Sequence, residues 1–95
     1  MALATPIAGK VTTSTTTGTT TLTRASQYVV FSNVDATSTN SITININGAP
    51  CVANQGIHLK GGQSITVNLK DIGGYIKSFS AIAGANTPIL AYMAL

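Results

Sequence analysis

Polar and apolar residues alternate strictly in two stretches of the chain. Ser41–Asn47 sets Ile42, Ile44 and Ile46 against Thr43 and Asn45, and Gln63–Lys70 sets Ile65, Val67 and Leu69 against Ser64, Thr66 and Asn68. A period of two places one set in a core and the other in water, which predicts half-buried β-strands. Asn47-Gly48 closes the first stretch and Gly61-Gly62 precedes the second; both are turn chemistry, because Asn and Gly tolerate positive φ. The chain is organised around these two strands and reads as antiparallel and all-β.

The remaining segments follow the same grammar. Tyr28-Val29-Val30-Phe31 is a continuous apolar run, the pattern of a strand covered on both faces. Asp35–Asn40 is a mostly polar loop. Pro50 cannot donate to a ladder and marks an edge or a bend before Cys51 and Val52, residues 53–56 turn the chain, and Ile57–Leu59 is a short strand. Asp71–Gly74 is a further turn. Tyr75–Ala83 predicts a longer strand whose buried face switches midway, with Tyr75, Phe79 and Ala81 on one face and Ile76 and Ile82 on the other. Gly84–Thr87 turns again, and Ile89–Leu95 is a last apolar strand. Turn signals every eight to twelve residues predict a sandwich, antiparallel and jelly-roll-like. The expected core is Phe31, Ile42, Ile44, Ile46, Ile65, Val67, Leu69, Phe79, Ile82 and Leu90.

Residues 1–26 differ in character. From Val11 to Thr23 the chain is nearly all threonine, a residue whose branched Cβ favours extended backbone. Low hydrophobicity points to a disordered tail. The β-propensity and the anchors Ile7, Val11 and Leu22 point to an arm ordered by a sheet edge or a neighbouring subunit, with room for an irregular first strand or hairpin about Gly18. We read it as an extended N-terminal arm over 1–26, ahead of a β-sandwich domain over 27–95. Ile7, Val11 and Leu22 would be its apolar contacts and Arg24 its charged one. Removing residues 1–22 is then expected to weaken oligomerisation or particle binding and to leave the β-fold intact.

Composition sharpens the picture in one respect. Five basic and two acidic residues, with no Glu, leave only 7% charged residues and a net charge of +3. An ordinary soluble domain has about a quarter charged. Thr, Ser and Asn supply the solvent face instead, which suits a protein held against neighbours. Lys10, Arg24, Lys60, Lys70 and Lys77 are dispersed along the chain, so no stripe of positive charge exists to follow a phosphate backbone, and no nucleic-acid partner is expected. No apolar run of eighteen residues is present, and no membrane span is expected. The N-terminus lacks a basic region ahead of an apolar one, so synthesis and first folding are expected in a cytoplasm.

Candidate chemistry is sparse. Cys51 is the only cysteine, so no disulfide forms within the chain, and its apolar Pro-Cys-Val setting predicts a buried, inert thiol. His58, between Ile57 and Leu59, reads as the outward residue of a short strand. Cys51 and His58 make two ligands where zinc needs three or four. Asp35 and Asp71 are the only acids and fall in separate loops, which argues against a carboxylate pair or a calcium site. Gly61-Gly62 and Gly73-Gly74 precede no helix and are not phosphate loops. No Trp offers a sugar platform, and Tyr28, Tyr75 and Tyr92 lie in apolar strand patterns where core packing is the default. No cofactor, metal or enzymatic activity is expected.

The second half carries a recognisable cadence: a strand ending in Asn47-Gly48, a hairpin with Leu59, Gly62, Ser64 and Ile65, a strand ending in Ser80-Ala81-Ile82-Ala83, and a last strand finishing the chain. Over residues 28–95 this resembles the small β-sandwich proteins of tailed bacteriophage virions, and in size and Thr-rich N-terminus it is most similar to capsid decoration (cement) proteins. The resemblance implies a structural protein on the capsid surface of the virion, made in the bacterial host cytoplasm. It would bind the major capsid protein and copies of itself, with a trimer suited to local three-fold positions. A head-fibre or tail component, or a carbohydrate-binding β-sandwich module, is the alternative.

Overall fold

The computed structural model describes residues 6–51 and 54–95. Eight strands run in order: β1 (Ile7–Thr12), β2 (Gly18–Ser26), β3 (Tyr28–Asn33), β4 (Ile42–Ile46), β5 (Ile57–Leu59), β6 (Ser64–Asn68), β7 (Ile76–Ala83) and β8 (Ile89–Ala94), with one 3₁₀ turn at Lys70–Ile72. They form two four-stranded sheets, β1-β8-β3-β6 and β2-β7-β4-β5, with every pairing antiparallel. Every connection except β4–β5 crosses from one sheet to the other. This is the strand order of a jelly roll, a double-sheet sandwich closed by Greek-key connections.

The two sheets meet over an apolar core of Leu22, Val29, Phe31, Ile42, Ile44, Leu59, Ile76, Phe79, Ala81, Leu90 and Ala94. At its centre three aromatic rings bridge the sheets. Phe31 and Tyr92 are register partners on β3 and β8. Phe79 of β7 meets both edge-to-face, with centroids 5.0 Å from Phe31 and 4.9 Å from Tyr92. Gly9 is the register partner of Tyr92 on the other side. A Cβ there would stand 2.6 Å from the Tyr92 hydroxyl, so β1 can lie beside that ring only with glycine at this position.

Polar staples fix the two ends. Asn33 is wholly buried, yet each of its hydrogen-bonding groups has a partner. Its Nδ2 donates to the carbonyls of Asn40 (2.8 Å) and Leu59 (3.1 Å), and its Oδ1 accepts from the Asp35 N–H. Its own N–H donates to Gln63 O, and its carbonyl accepts from the Gly62 N–H. One residue, through its side chain and its backbone, thereby ties β3, the 34–41 loop, β5 and the β5–β6 turn together. At the opposite end Asn47 and Gly48, at φ 55° and 80°, make a tight turn closed by Ala49 N–H to Ile46 O. The Asn47 side chain also donates to Tyr75 O and accepts from the Lys77 N–H, both at 2.7 Å, fastening the turn to the start of β7.

The two alternating strands behave as their pattern predicts. Ile42 and Ile44 are buried, and Ile46, Ile65, Val67 and Leu69 pack against the core. They are not ladder partners, however: β4 is central in one sheet and β6 is an edge of the other. Phe31, Phe79 and Leu90 are core residues as expected, whereas Ile82 sits outward on β7, opposite Thr43. The predicted face switch occurs between Ile76 and Phe79, both buried, where the β2–β7 register also shifts. Tyr75 precedes that strand and is 51% exposed, so it is not a core residue.

The N-terminal reading requires correction. Residues 7–12 and 18–26 are not an arm reaching out from a finished domain; they are β1 and β2, one strand in each sheet. Cross-strand hydrogen bonding to β8 and β7 orders a threonine-rich backbone that has few apolar side chains of its own. Deleting residues 1–22 would remove β1 and much of β2 and uncover Leu90 and Phe79, so that truncation does not spare the fold. Residues 1–5 of the expected arm, and Val52 and Ala53, lie outside the described residues.

Two stability outcomes follow from this core. Phe79→Ala removes the ring shared by both sheets and is expected to cost about 3–5 kcal/mol, while Thr66→Ala on the outer face of β6 changes stability by less than about 0.5 kcal/mol. Chemical denaturation of the two variants checks the contrast. Ser26, buried at the corner between β2 and β3, has a hydroxyl with no hydrogen-bond partner among the described residues. Ser26→Ala is therefore expected to raise stability, by on the order of 1 kcal/mol, in the same measurement.

Candidate functional site

The four residues expected to contact a partner fall on β1 and β2. Ile7 and Val11 lie opposite Ala94 and Leu90 and pack against the core, and Leu22 is part of it. These three side chains hold the protein's own sheets together. Arg24 is half-buried on β2. What these strands offer outward is different: the edges of both sheets and the exposed residues Ala8, Lys10, Thr19, Thr21 and Thr23. Sequence alternation alone could not assign the faces, because threonine is compatible with either side of a sheet.

The chemistry-bearing residues gather on the outer face of the β2-β7-β4-β5 sheet. The chain after β4 turns back across this face, and Asn45 holds it there by donating to Pro50 O (2.9 Å) and Gln55 O (2.7 Å). Thr43 Oγ1 accepts from the Asn54 N–H at 3.1 Å and lies 3.5 Å from His58 Nδ1. Cys51 Sγ is 3.6 Å from the carbonyls of both Thr43 and Ser80, and Thr17 Oγ1 donates to Cys51 O. Thr43 and Ser80 point away from the core yet are buried under this returning segment.

The arrangement keeps the thiol quiet. Burial raises its pKa above the ordinary thiol range, an effect only partly offset by hydrogen bonds from Asn45. Its thiol donates to the carbonyl oxygens of Thr43 and Ser80, hydrogen bonds that only the neutral form can make. His58 is exposed on β5, its ring nitrogen turned to a threonine hydroxyl. Asp35 lies in the loop after β3 and Asp71 in the 3₁₀ turn before β7, at opposite ends of the sandwich, so the two carboxylates do not share a site. Among the described residues no three His, Cys, Asp or Glu side chains come together in a way that could hold a metal, and no helix is long and apolar enough to cross a membrane.

A second polar group lies at the end holding Asn33. Asp35 Oδ1 accepts from the Thr37 N–H (2.7 Å) and from Asn40 Nδ2 (3.2 Å), and Asn40 Oδ1 accepts from Asn86 Nδ2 (2.8 Å). These side chains tie the β3–β4 loop to the β7–β8 turn. Tyr75 and Tyr28 are at the other end, and Tyr92 packs against the core, so no aromatic platform stands beside the amides.

Cys51 gives the test of this geometry. Native protein at pH 8 is expected to react with a thiol reagent at least about tenfold more slowly than the same protein in denaturant. The linkage has a definite sign. A raised folded-state pKa gives stability that is complete below the ordinary thiol range and is lost as pH rises from there through the raised folded value, so Cys51→Ser should flatten the alkaline limb of a stability–pH curve.

Against this geometry, comparison of the chain with protein-family models, with curated proteins and with solved structures finds no match.

Proposed function

We propose that this chain is a structural virion protein that decorates and stabilises a bacteriophage capsid from outside, bound to the major capsid protein and to copies of itself. The observation that carries the reading is the strand order β1-β8-β3-β6 over β2-β7-β4-β5. That jelly roll is an architecture of capsid and lectin domains, and it fits the resemblance of residues 28–95 to small phage virion proteins. Fold alone does not select a function. The surface weighs on the same side: it is written in Thr, Ser and Asn, with 7% charged residues in the whole sequence, and two sheet edges lie along its N-terminal strands. Such a surface lets neighbours approach with little charge to desolvate. Contact in this reading runs through the backbone edges of β1 and β2 and their outward side chains, with Ile7, Val11 and Leu22 supporting from within. The site of action is the virion surface, after synthesis in the host cytoplasm.

A carbohydrate-binding module of a head fibre or tail is the second reading, and the Asp35–Asn40–Asn86 cluster is the observation in its favour. The two separate cleanly in one experiment. Purified protein is mixed with particles assembled from the major capsid protein whose gene neighbours its own, and pelleted. Saturable co-sedimentation at a fixed ratio to capsid subunits is the expected result. Pelleting no greater than that of an unrelated β-sandwich, together with retention on a glycan array, rejects decoration in favour of the second reading.

A further inference from the structure

Asn47-Gly48 holds chemistry that a turn alone does not use. Asn47 is the one asparagine of the chain that glycine follows. In such a pair the peptide nitrogen of the glycine can attack the side-chain amide carbon before it, because no glycine side chain stands in the way. Both residues are exposed, so water reaches them, and a Cβ built on Gly48 would meet nothing within 4 Å among the described residues. Crowding therefore gives this turn no protection.

Hydrogen bonds protect it instead. Asn47 Oδ1 accepts from the Lys77 N–H and Nδ2 donates to Tyr75 O, both at 2.7 Å, and the Ser78 N–H points at Oδ1 from 3.5 Å. The Asn47 N–H donates to Ser78 O (2.9 Å), and the Ala49 N–H closes the turn on Ile46 O (3.1 Å). The carboxamide is thus held at both ends on β7, and its carbon reaches the Gly48 nitrogen only after both side-chain bonds are released. This lock sits at a ladder end, because Ile46 opposite Phe79 is the last register pair of β4 and β7. Ladder ends open more readily than ladder middles.

We propose that Asn47 is a deamidation site that the native fold holds shut and that opens when the turn detaches from β7. The step balances within the chain and water. The Gly48 nitrogen gives its proton to solvent base and bonds to Asn47 Cγ; the Cγ–Nδ2 bond breaks, and Nδ2 leaves as ammonia, protonated by solvent. Water then opens the cyclic imide at one or the other carbonyl, leaving aspartate or isoaspartate in place of Asn47. Neither product rebuilds the lock. A carboxylate oxygen stands where Nδ2 donated, so acceptor faces acceptor at Tyr75 O. Isoaspartate also lengthens the main chain by one carbon, which upsets a turn built on φ values of 55° and 80°. Each modification therefore weakens the contact that prevented it, and the change runs one way. The inference goes beyond the capsid reading and does not rest on it, because it concerns how long the folded chain keeps its turn.

The test follows the full chain by peptide mapping at one mildly alkaline pH, native and in guanidinium chloride, with aspartate and isoaspartate counted at each asparagine. Two side-chain hydrogen bonds of ordinary strength must open together, so the native chain is expected to be modified at Asn47 at least about fivefold more slowly than the denatured one. In the denatured chain Asn47 should be modified first. Asn47→Asp, which places the product's carboxylate in the folded turn, should unfold at lower denaturant concentration than the wild type. The comparison of native with denatured wild type needs no variant. A native rate less than about fivefold slower, a denatured chain modified first at another asparagine, or an Asn47→Asp protein as stable as the wild type would each overturn the inference.

Discussion

The structure depends on a single ring. Phe79 enters from β7 and meets Phe31 and Tyr92, which sit opposite one another on β3 and β8. A sandwich of two four-stranded sheets needs side chains long enough to cross the gap of about 10 Å between them. The rest of this core is aliphatic, so the aromatic trio sets the spacing at its middle. Edge-to-face geometry adds about 0.5–1.5 kcal/mol per pair to the burial of the rings. The same trio dictates the position of β1, because the Tyr92 hydroxyl occupies the space where a side chain on Gly9 would stand. An aromatic on one strand and a glycine on the next thus fix a register that the alternation of Ile7 and Val11 specifies only weakly.

What was legible in the sequence was the strand grammar. Ile42, Ile44 and Ile46 and then Ile65, Val67 and Leu69 announce their buried faces because isoleucine, valine and leucine gain only from one side of a sheet. The N-terminal third was illegible for the same physical reason turned round. Threonine is at home in a strand on either face, so Thr12–Thr23 carries β-propensity and almost no facing information. Its order comes from partners distant in sequence: Thr13 Oγ1 donates to Pro88 O, and Thr19 Oγ1 shares a hydrogen bond with Ser80 Oγ. Ile82 was misassigned because the strand bearing it changes face at a register shift, and an irregularity of that kind leaves no mark on local pattern.

The polar clusters were equally hidden. His58 was correctly read as an outward strand residue, whereas Cys51, expected buried in an apolar setting, is half-buried beside the carbonyls of Thr43 and Ser80, and nothing in their spacing shows that both approach Thr43. That meeting is produced by Asn45, whose amide draws the segment after β4 back across the sheet it has just left. Gly56 completes the turn: a Cβ there would collide with the Asn45 side-chain amide, and its φ of 134° lies where other residues rarely go. Asn33 plays a comparable part at the other end. The buried Asn33 amide is fully partnered, and a buried polar group left unpaired costs about 1–3 kcal/mol. Satisfied networks of this type specify one arrangement of loops over competing ones.

Every open sandwich has edges to protect, and here four strands share the burden unequally. β5 is only three residues long, which limits what can pair with it. β2 follows β7 over Gly18–Thr21 and then departs from its register before rejoining at Ser26, and such a bulge turns an edge away from would-be partners. β6 presents Ser64, Thr66 and Asn68 outward, all exposed and polar. β1 has the weakest protection: it is six residues of regular ladder, with Lys10 as its one charge and Gly9 in its middle. Beside it lies the apolar outer face of β8. Protection in this molecule is thus graded around the sandwich, strongest where the chain folds back on itself and weakest along β1 and β8, where so few charges leave only shape to decide what may approach.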